Sequence, residues 1–296
     1  GLGDIAVWLA AKGASQEAPQ FPALRAAYLG QAPPGPTPRE FAAGIVGGHF
    51  NMHSSPAFSP DGSELYWSES IPPRGAGYSS GRTMMSRRAG ETWSYPVRAM
   101  VGAVPLEDVP VISADGRRIY DMARRPVPGQ ATGKENIWVA DRAGEGWGEP
   151  RPLDPAVNAL PHHWQFSVGP DGAVYFNSNW KGATGLFVSR RVGGRHEEPV
   201  PLGAPVGASG REAMPFVAAD GSYLLFQRNN DLHVSFRGPD GRWLVPVPLP
   251  PTVNTPEGEL CPVVSPDGRY LFFMRSYHVY SVDAAIIEVL RPGPGR

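Results

Sequence analysis

Short apolar segments alternate with turn signals along most of the chain, and the same arrangement occurs five times. An Asp-Gly pair follows an apolar segment in FSPDG, ISADG, VGPDG, VAADG and VSPDG. The aspartates are Asp61, Asp115, Asp171, Asp220 and Asp267. A second apolar and aromatic segment follows each turn: ELYW, RIY, VYF, YLLF or YLFF. Two such segments around an Asp-Gly turn are typical of a β-hairpin, so the pattern predicts five hairpins.

Each unit continues with a third apolar segment and a second turn. Trp93, Trp147, His196 and Trp243 follow these turns, and each stands three residues before a proline. Proline is tolerated in edge strands, which places this part of the unit on the outside of a sheet. Four strands in a unit of about 50 residues indicate the blade of a β-propeller. We therefore predict an all-β fold, a five-bladed β-propeller of four-stranded blades.

The two ends of the chain complete this prediction. The fifth unit has three strands, and FAAGIV at 41–46 is expected to supply the fourth, so that the ring closes without open edges. Before it, Leu2, Ile5, Trp8 and Leu9 share one helical face, and QAPPGPTPRE indicates a stiff linker. The expected organisation is an N-terminal helix and Pro-rich linker at 1–40 and a propeller at 41–296.

Composition and charge exclude several classes of protein. Gly and Pro together contribute 36 + 34 = 70 residues, which rules out a fold of long helices. The net charge is −1 and no segment concentrates Lys or Arg, which argues against nucleic acid or an anionic membrane as partner. No apolar run is long enough to predict a membrane span. The single cysteine, Cys261, lies in an apolar run and is expected to be a buried, unreactive thiol.

The Asp-Gly units with their aromatic strands resemble the TolB-like propeller repeats of bacteria, which are related to WD-type repeats. The segments YLGQAPPGPTPREFAAGIV, HSSPAFSPDG and HVYSVDAAIIEVL resemble one uncharacterised subgroup of that family. The front, GDIAVWLAAKGAS, resembles the last helix of an ankyrin repeat. The TolB resemblance implies a propeller that often serves as a scaffold for a protein partner. It favours an exported protein, whereas the ankyrin resemblance favours the cytoplasm, so the compartment stays open.

One position of the repeat carries the candidate chemistry. Eight residues before each turn aspartate the residue is always His or Glu: His53, Glu107, His163, Glu212 and Glu259. The strand that follows this position should line the central channel, so the five side chains are expected at one level of the channel mouth. We refer to these five residues as the His/Glu ring. Asp108, His162, Trp164 and Arg211 flank it and are expected to line a pocket for a small molecule.

Two imidazoles and three carboxylates suit a divalent transition metal such as Zn, Mn or Fe. In this interpretation all five ring residues are candidate ligands, and a glutamate that remains unligated acts as general base. The catalytic candidates are thus Glu107, Glu212 and Glu259. No motif for an organic cofactor is present. The chemistry predicted is metal-assisted hydrolysis, or a related acid–base reaction such as that of a lyase.

Two alternatives remain open at this point. The ring residues can instead hydrogen-bond the loops between blades and serve only the structure. The protein is then a non-catalytic interaction scaffold that uses its faces to bind a protein partner.

Overall fold

The computed structural model describes residues 24–47, 52–71, 80–130, 133–161 and 163–293. The helix expected at residues 2–12 lies outside these ranges. Within them the chain forms a five-bladed β-propeller, as the repeat predicts, and each blade is an antiparallel sheet. No helix in the described ranges is long and apolar enough to cross a membrane.

Within each of the first two blades, the strands follow one another in chain order from the centre of the ring outwards. The closing strand and first blade contain β1 (Arg39–Glu40), β2 (Ala57–Phe58), β3 (Glu64–Ile71), β4 (Ser80–Ala89), β5 (Thr92–Trp93) and β6 (Val97–Arg98). A small hairpin of β7 (Met100–Val101) and β8 (Val104–Pro105) leads to the second blade. That blade contains β9 (Asp108–Ile112), β10 (Arg118–Ala123), β11 (Asn136–Ala143), β12 (Gly146–Trp147) and β13 (Arg151–Pro152).

The other three blades follow the same order. The third contains β14 (His163–Val168), β15 (Val174–Trp180), β16 (Ala183–Ser189), the hairpin β17 (Arg191–Val192) and β18 (Arg195–His196), and β19 (Val200–Pro201). The fourth contains β20 (Glu212–Val217), β21 (Tyr223–Arg228), β22 (Asp231–Phe236) and β23 (Val247–Pro248). The fifth contains β24 (Leu260–Val264), β25 (Tyr270–Arg275) and β26 (His278–Asp283). The short helices are a 3-10 turn (Ala27–Gly30), α1 (Pro155–Asn158) and α2 (Ala285–Glu288).

The N-terminal segment closes the ring, but at a different place from the one expected. Strand β1 pairs antiparallel with β26, with Arg39 opposite Ser281. The predicted strand at 41–46 is instead a series of turns, in which Ala42 accepts hydrogen bonds from the amides of Ile45 and Val46. The reason is visible in Phe41, whose ring is buried and packs 4.9 Å from the ring of Phe272. The apolar side chains of this segment fill the core rather than extend the sheet.

The Asp-Gly turns between the first two strands of each blade share one hydrogen bond. In every blade an aspartate Oδ1 accepts a backbone N–H from the residue two positions later, an arrangement that stabilises a tight turn. The pairs and N–O distances are Asp61 with Ser63 (3.0 Å), Asp115 with Arg117 (3.0 Å), Asp171 with Ala173 (3.0 Å), Asp220 with Ser222 (2.9 Å) and Asp267 with Arg269 (3.1 Å). The five turns therefore mark one face of the propeller, which we call the turn face. The opposite face carries the His/Glu ring.

Candidate functional site

In four blades the ring position lies at the start of the inner strand, whereas His53 lies four residues before β2. Glu212 and His163 are the first residues of β20 and β14, and Glu107 and Glu259 immediately precede β9 and β24. The loop between β10 and β11 returns to the same face, because the amide of Arg124 donates to Glu107 Oε2 at 3.0 Å. The ring and this long loop therefore share one mouth of the channel.

Two of the ring carboxylates form ion pairs within their own blades. Glu212 Oε1 accepts from Arg228 Nε at 2.9 Å, and Glu259 Oε1 accepts from Arg275 Nε at 2.9 Å. Both carboxylate side chains are completely buried. A hydroxyl in the preceding loop also donates to each carboxylate. Ser209 donates to Glu212 Oε1 at 2.5 Å, and Thr255 donates to Glu259 Oε1 at 2.7 Å.

The arginines extend this arrangement to the backbone of the preceding loop. Arg228 Nη2 donates to the carbonyl of Val206 at 2.6 Å, and Arg275 Nη2 donates to that of Val253 at 2.8 Å. Each glutamate–arginine pair thus ties an inter-blade loop to the second strand of its blade. Although burial raises the pKa of Glu212, the hydrogen bonds from Ser209 and Arg228 outweigh it, and the pKa lies below its usual value.

Glu107 has a more open environment than these two residues. Its side chain is 34% exposed, and the nearest guanidinium, that of Arg125, lies 3.8 Å from Oε1. Arg125 is itself committed to Asp121, which it contacts with both terminal nitrogens at 3.0 and 2.5 Å. Glu107 therefore keeps a carboxylate oxygen near the surface of the mouth.

His53 forms a dyad with Asp108, the residue next to Glu107. The imidazole Nδ1 is in direct contact with Asp108 Oδ2, and the two side chains are 38% and 15% exposed. The hydrogen bond to Asp108 raises the pKa of His53, against the opposite effect of burial. No hydrogen bond to His53 Nε2 is found among the described residues.

A glycine makes room for this dyad. A Cβ atom placed on Gly81 would lie 2.5 Å from the carboxyl carbon of Asp108, which is closer than real Cβ atoms approach. Because Gly81 has no side chain, the Asp108 carboxylate can lie against strand β4 and remain beside His53. The first two blades together therefore position the pair.

The structure describes only some of the remaining predicted site residues. The side chains of His163 and Trp164, and all of His162, lie outside the described part of the molecule. Arg211 is exposed, and its Nη1 lies 3.4 Å from Asn229 Oδ1. Among the described residues no group of three or more His, Cys, Asp and Glu side chains could hold a metal ion. Ligation of an ion by the full ring stays a prediction.

A layer of five buried side chains closes the channel just below the ring. These residues stand two positions after the ring residues: Ser55, Val109, Gln165, Met214 and Cys261. Ser55 Oγ donates to the carbonyl of Cys261, and Cys261 donates its amide to Met214 Sδ at 3.3 Å. Gln165 Nε2, from the third blade, donates to the carbonyl of Pro262 in the fifth blade at 3.1 Å. We call these five residues the channel layer.

The backbone bends at this layer to direct the side chains inwards. Val109, Met214 and Cys261 have positive φ angles of 47°, 54° and 52°. The pairing between first and second strands shifts register at the same place, which is the signature of a β-bulge. Burial raises the pKa of the Cys261 thiol to about 12. The predicted unreactive thiol is thus a packing group of the channel layer.

A cavity of about 780 Å³ lies between the channel layer and the turn face. Its walls are the inner strands of all five blades, and none of the ring residues lines it. Partly buried apolar side chains, among them Val111, Val168 and Phe216, contribute to the wall. This cavity therefore opens at the mouth opposite the one that the sequence analysis favoured.

Sequence reasoning missed two polar residues of this cavity, Ser54 and Gln165. Both line it, both are at least 96% buried, and neither Ser54 Oγ nor Gln165 Oε1 has a hydrogen-bond partner within the described residues. The repeat alignment offered a signal, since these positions lie one and two residues after the ring. Ser54 and Gln165 are polar, whereas three of the other four blades have an apolar residue at the same position of the repeat.

No protein-family profile matches this chain, and no curated protein sequence matches it. Solved structures that resemble it include a putative TolB from Agrobacterium tumefaciens, with a TM-score of 0.49 and 20% identity over 78% of this chain and 70% of that one.

Two gluconolactonases are also among the similar structures. The Xanthomonas campestris enzyme has a TM-score of 0.46 and 14% identity over 90% of this chain and 98% of that one. The periplasmic enzyme of Pseudomonas aeruginosa has a TM-score of 0.43 and 19% identity over 75% of this chain and 64% of that one. The solved structures that are similar to this chain thus include TolB-like and gluconolactonase-type β-propellers.

Proposed function

We propose that the ring mouth of the channel binds a small molecule and acts on it by acid–base chemistry, with His53 as the proton acceptor. The observation that supports this proposal is the contact between His53 Nδ1 and Asp108 Oδ2, because it directs the imidazole with Nδ1 towards the carboxylate while the His53 side chain stays 38% exposed. A carboxylate in this position fixes the tautomer of the imidazole and stabilises the imidazolium that forms when Nε2 takes a proton.

Hydrolysis is the reaction class that these groups suit. Nε2 accepts a proton from a water molecule as that water attacks a carbonyl carbon, and the leaving oxygen then receives the proton back from the imidazolium. Asp108 balances the positive charge on His53 throughout and does not itself need to change protonation. Glu107, with its partly exposed carboxylate, lies on the same side of the mouth and can accept a hydrogen bond from the substrate.

The described residues support a metal site in the ring less well than they support acid–base chemistry at the His53–Asp108 dyad. Glu212 and Glu259 already bind arginines, and their blades need those contacts. A divalent ion held by His53 and His163 with ring carboxylates is therefore a separate proposal, and no step above depends on it. Elemental analysis of protein purified without chelator or nickel resin tests it, and the double change His53→Ala with His163→Ala should then remove the metal.

A panel of neutral esters and lactones tests the acid–base proposal. We expect turnover of at least one member by the native protein and a loss of about 100-fold or more in His53→Gln, the usual scale for removing a general base. His278→Gln is the matched control, because His278 Nδ1 also contacts a carboxylate, that of Glu40 at 2.9 Å, and His278 belongs neither to the His/Glu ring nor to the dyad. Equal rates in native protein and His53→Gln would refute the proposal.

The alternative is a non-catalytic scaffold that binds a protein partner. The structural use of Glu212 and Glu259 favours it, because two of the five ring residues serve to hold inter-blade loops. Absence of turnover across the panel, together with a protein partner whose binding is lost on changing the exposed Arg211, would support this alternative.

A further inference from the structure

The cavity on the turn face has the features of a second binding site, independent of the His53–Asp108 dyad. It extends from the channel layer to the Asp-Gly turns, and its volume of about 780 Å³ lies within the range of about 300–1,000 Å³ usual for small-molecule sites. The channel layer lies between it and the ring, since Gln165 hydrogen-bonds the fifth blade across the channel and Ser55 hydrogen-bonds the fifth blade from the neighbouring first blade.

The wall of the cavity is apolar and incompletely covered. Val111, Val168, Phe216 and Val264 belong to the inner strands of different blades, and each retains partial exposure while lining the cavity. Apolar surface that several blades direct into one enclosed space is stabilised when a ligand displaces water from it. The body of the ligand should therefore be apolar.

The inner end of the cavity is polar and unsatisfied. Ser54 and Gln165 are at least 96% buried, and Ser54 Oγ and Gln165 Oε1 have no partner in the described residues. A buried polar atom without a hydrogen bond is costly, and a ligand that supplies the missing bond removes that cost. Gln165 Oε1 is an acceptor, so the ligand must present a donor, either a hydroxyl or an N–H group.

The outer rim limits the charge of the ligand. Its carboxylates are Asp220, Asp267, Asp283 and Glu288. The nearby guanidiniums are those of Arg269, which lines the rim, and Arg291, which pairs with Glu288 at 2.6 Å. Four negative and two positive groups leave 4 − 2 = 2 negative charges in excess, which disfavours an anion.

From these observations we propose that the turn-face cavity binds a small neutral or cationic molecule, apolar along most of its length, that carries a hydroxyl or N–H donor at its inner end. Ser54 and Gln165 receive the donor, and the inner strands of the five blades enclose the body. The site requires nothing from the ring mouth, so it can be present whether or not the dyad is catalytic.

Two fluorescent probes with the same aromatic skeleton test the proposal. N-phenyl-1-naphthylamine is neutral and carries one N–H donor, whereas 1-anilino-8-naphthalenesulfonate carries a sulfonate as well. We expect the neutral probe to bind one site per chain with a blue-shifted emission, and the sulfonate to bind at least about tenfold more weakly at low salt. Equal binding of both probes, or no binding of the neutral one, would overturn the proposal.

Two variants place the probe in this cavity. Val168→Trp fills the space and should abolish binding, whereas Val200→Trp, on the exposed outer strand of the same blade, should leave it unchanged. Ser54→Ala removes a hydroxyl that has no partner in the described residues, so the melting temperature should not fall. Affinity should fall about two- to tenfold, the scale of one hydrogen bond.

The Ser54→Ala result distinguishes a binding role from a structural one. A lower melting temperature with unchanged affinity would show that Ser54 serves only the fold, and the proposed contact would be wrong. If Val168→Trp does not fold, Val111→Phe on the second blade gives the same test with a smaller side chain. Probe binding that survives a folded cavity-filling variant would place the probe elsewhere and refute the site.

Discussion

Gln165 Nε2 in the third blade lies 3.1 Å from the carbonyl oxygen of Pro262 in the fifth blade, so one side chain spans the centre of the propeller. It also lies 3.5 Å from the carbonyl of Pro215 in the fourth blade. This contact joins blades that are not neighbours along the chain, and it forms part of the layer that divides the channel into two mouths. The two mouths then have different chemistry, an acid–base dyad on one side and an apolar cavity on the other.

The Gln165 bridge should contribute measurably to stability. In Gln165→Leu the carbonyl of Pro262 loses its donor inside the protein, and we expect the free energy of unfolding to fall by about 1–3 kcal/mol. Urea unfolding followed by tryptophan fluorescence measures this change. Gln130→Leu is the control, because that side chain lies in a loop and bridges no blades within the described residues. A loss of equal size in both variants would contradict the role given to Gln165.

The buried ion pairs of the fourth and fifth blades should be sensitive to the loss of one partner. Arg275→Met leaves the Glu259 carboxylate buried without its guanidinium, and we expect a loss of about 3–5 kcal/mol in the free energy of unfolding. Arg242→Met, at an exposed site with an N–O distance of 3.8 Å to Asp240, should change it by less than about 1 kcal/mol. Chemical denaturation of the two variants in parallel measures both changes in the free energy of unfolding, and equal losses would contradict the role given to the buried pair.

The ion pair of Glu212 and Arg228 should make the stability of the protein depend on pH. Its pKa is lower in the folded protein than the ordinary value of 4.5, so its contribution to stability is present above that value. The contribution is lost as the pH falls through the lowered pKa, when the carboxylate becomes protonated. Glu212→Gln should therefore show a weaker loss of melting temperature in acid than the native protein. An equal loss of melting temperature in acid for the two proteins would contradict this assignment.

His53 should titrate above the ordinary histidine value of 6.5, because Asp108 hydrogen-bonds the charged imidazole. The stabilisation from this pair is complete below 6.5 and disappears as the pH rises through the raised pKa. In Asp108→Asn burial still acts while the carboxylate charge is gone, so the pKa of His53 should fall. Proton NMR titration of the imidazole signals measures it, with His53→Gln used for assignment. An unchanged titration in Asp108→Asn would remove the basis of the proposed proton acceptor.

Ring closure should depend on the core contact of Phe41 as much as on the short strand β1. Phe41→Ala deletes a buried ring that packs on Phe272, and we expect a loss of about 3–5 kcal/mol in the free energy of unfolding. Tyr277→Ala removes an aromatic side chain that is 61% exposed and should have little effect. Thermal unfolding of both variants provides the comparison, and a stable Phe41→Ala protein would show that closure does not rest on this contact.

The repeat could be predicted from sequence because its causes are local. An Asp-Gly pair forms its turn through a hydrogen bond between residues two positions apart, and the flanking alternation of apolar residues belongs to single strands. The eight-residue offset of the His/Glu ring is also local, and in four of the five blades the ring position lies at the start of the inner strand. The Asp108 flank was predicted as part of a pocket, and it lies beside His53.

The sequence by itself thus determined the number of blades, the turns and the equal spacing of the ring position, whereas only the tertiary structure decided what the described ring residues contact and that a cavity lies on the turn face. Glu212 and Glu259 bind arginines because the second strand brings Arg228 and Arg275 opposite them, and Gln165 reaches the fifth blade because five blades meet at one axis. The pairing at β1 moved to residues 39–40 because the apolar side chains from 41 onward enter the core. Such contacts depend on side-chain directions across blades far apart in the chain, and no short-range pattern encodes that geometry.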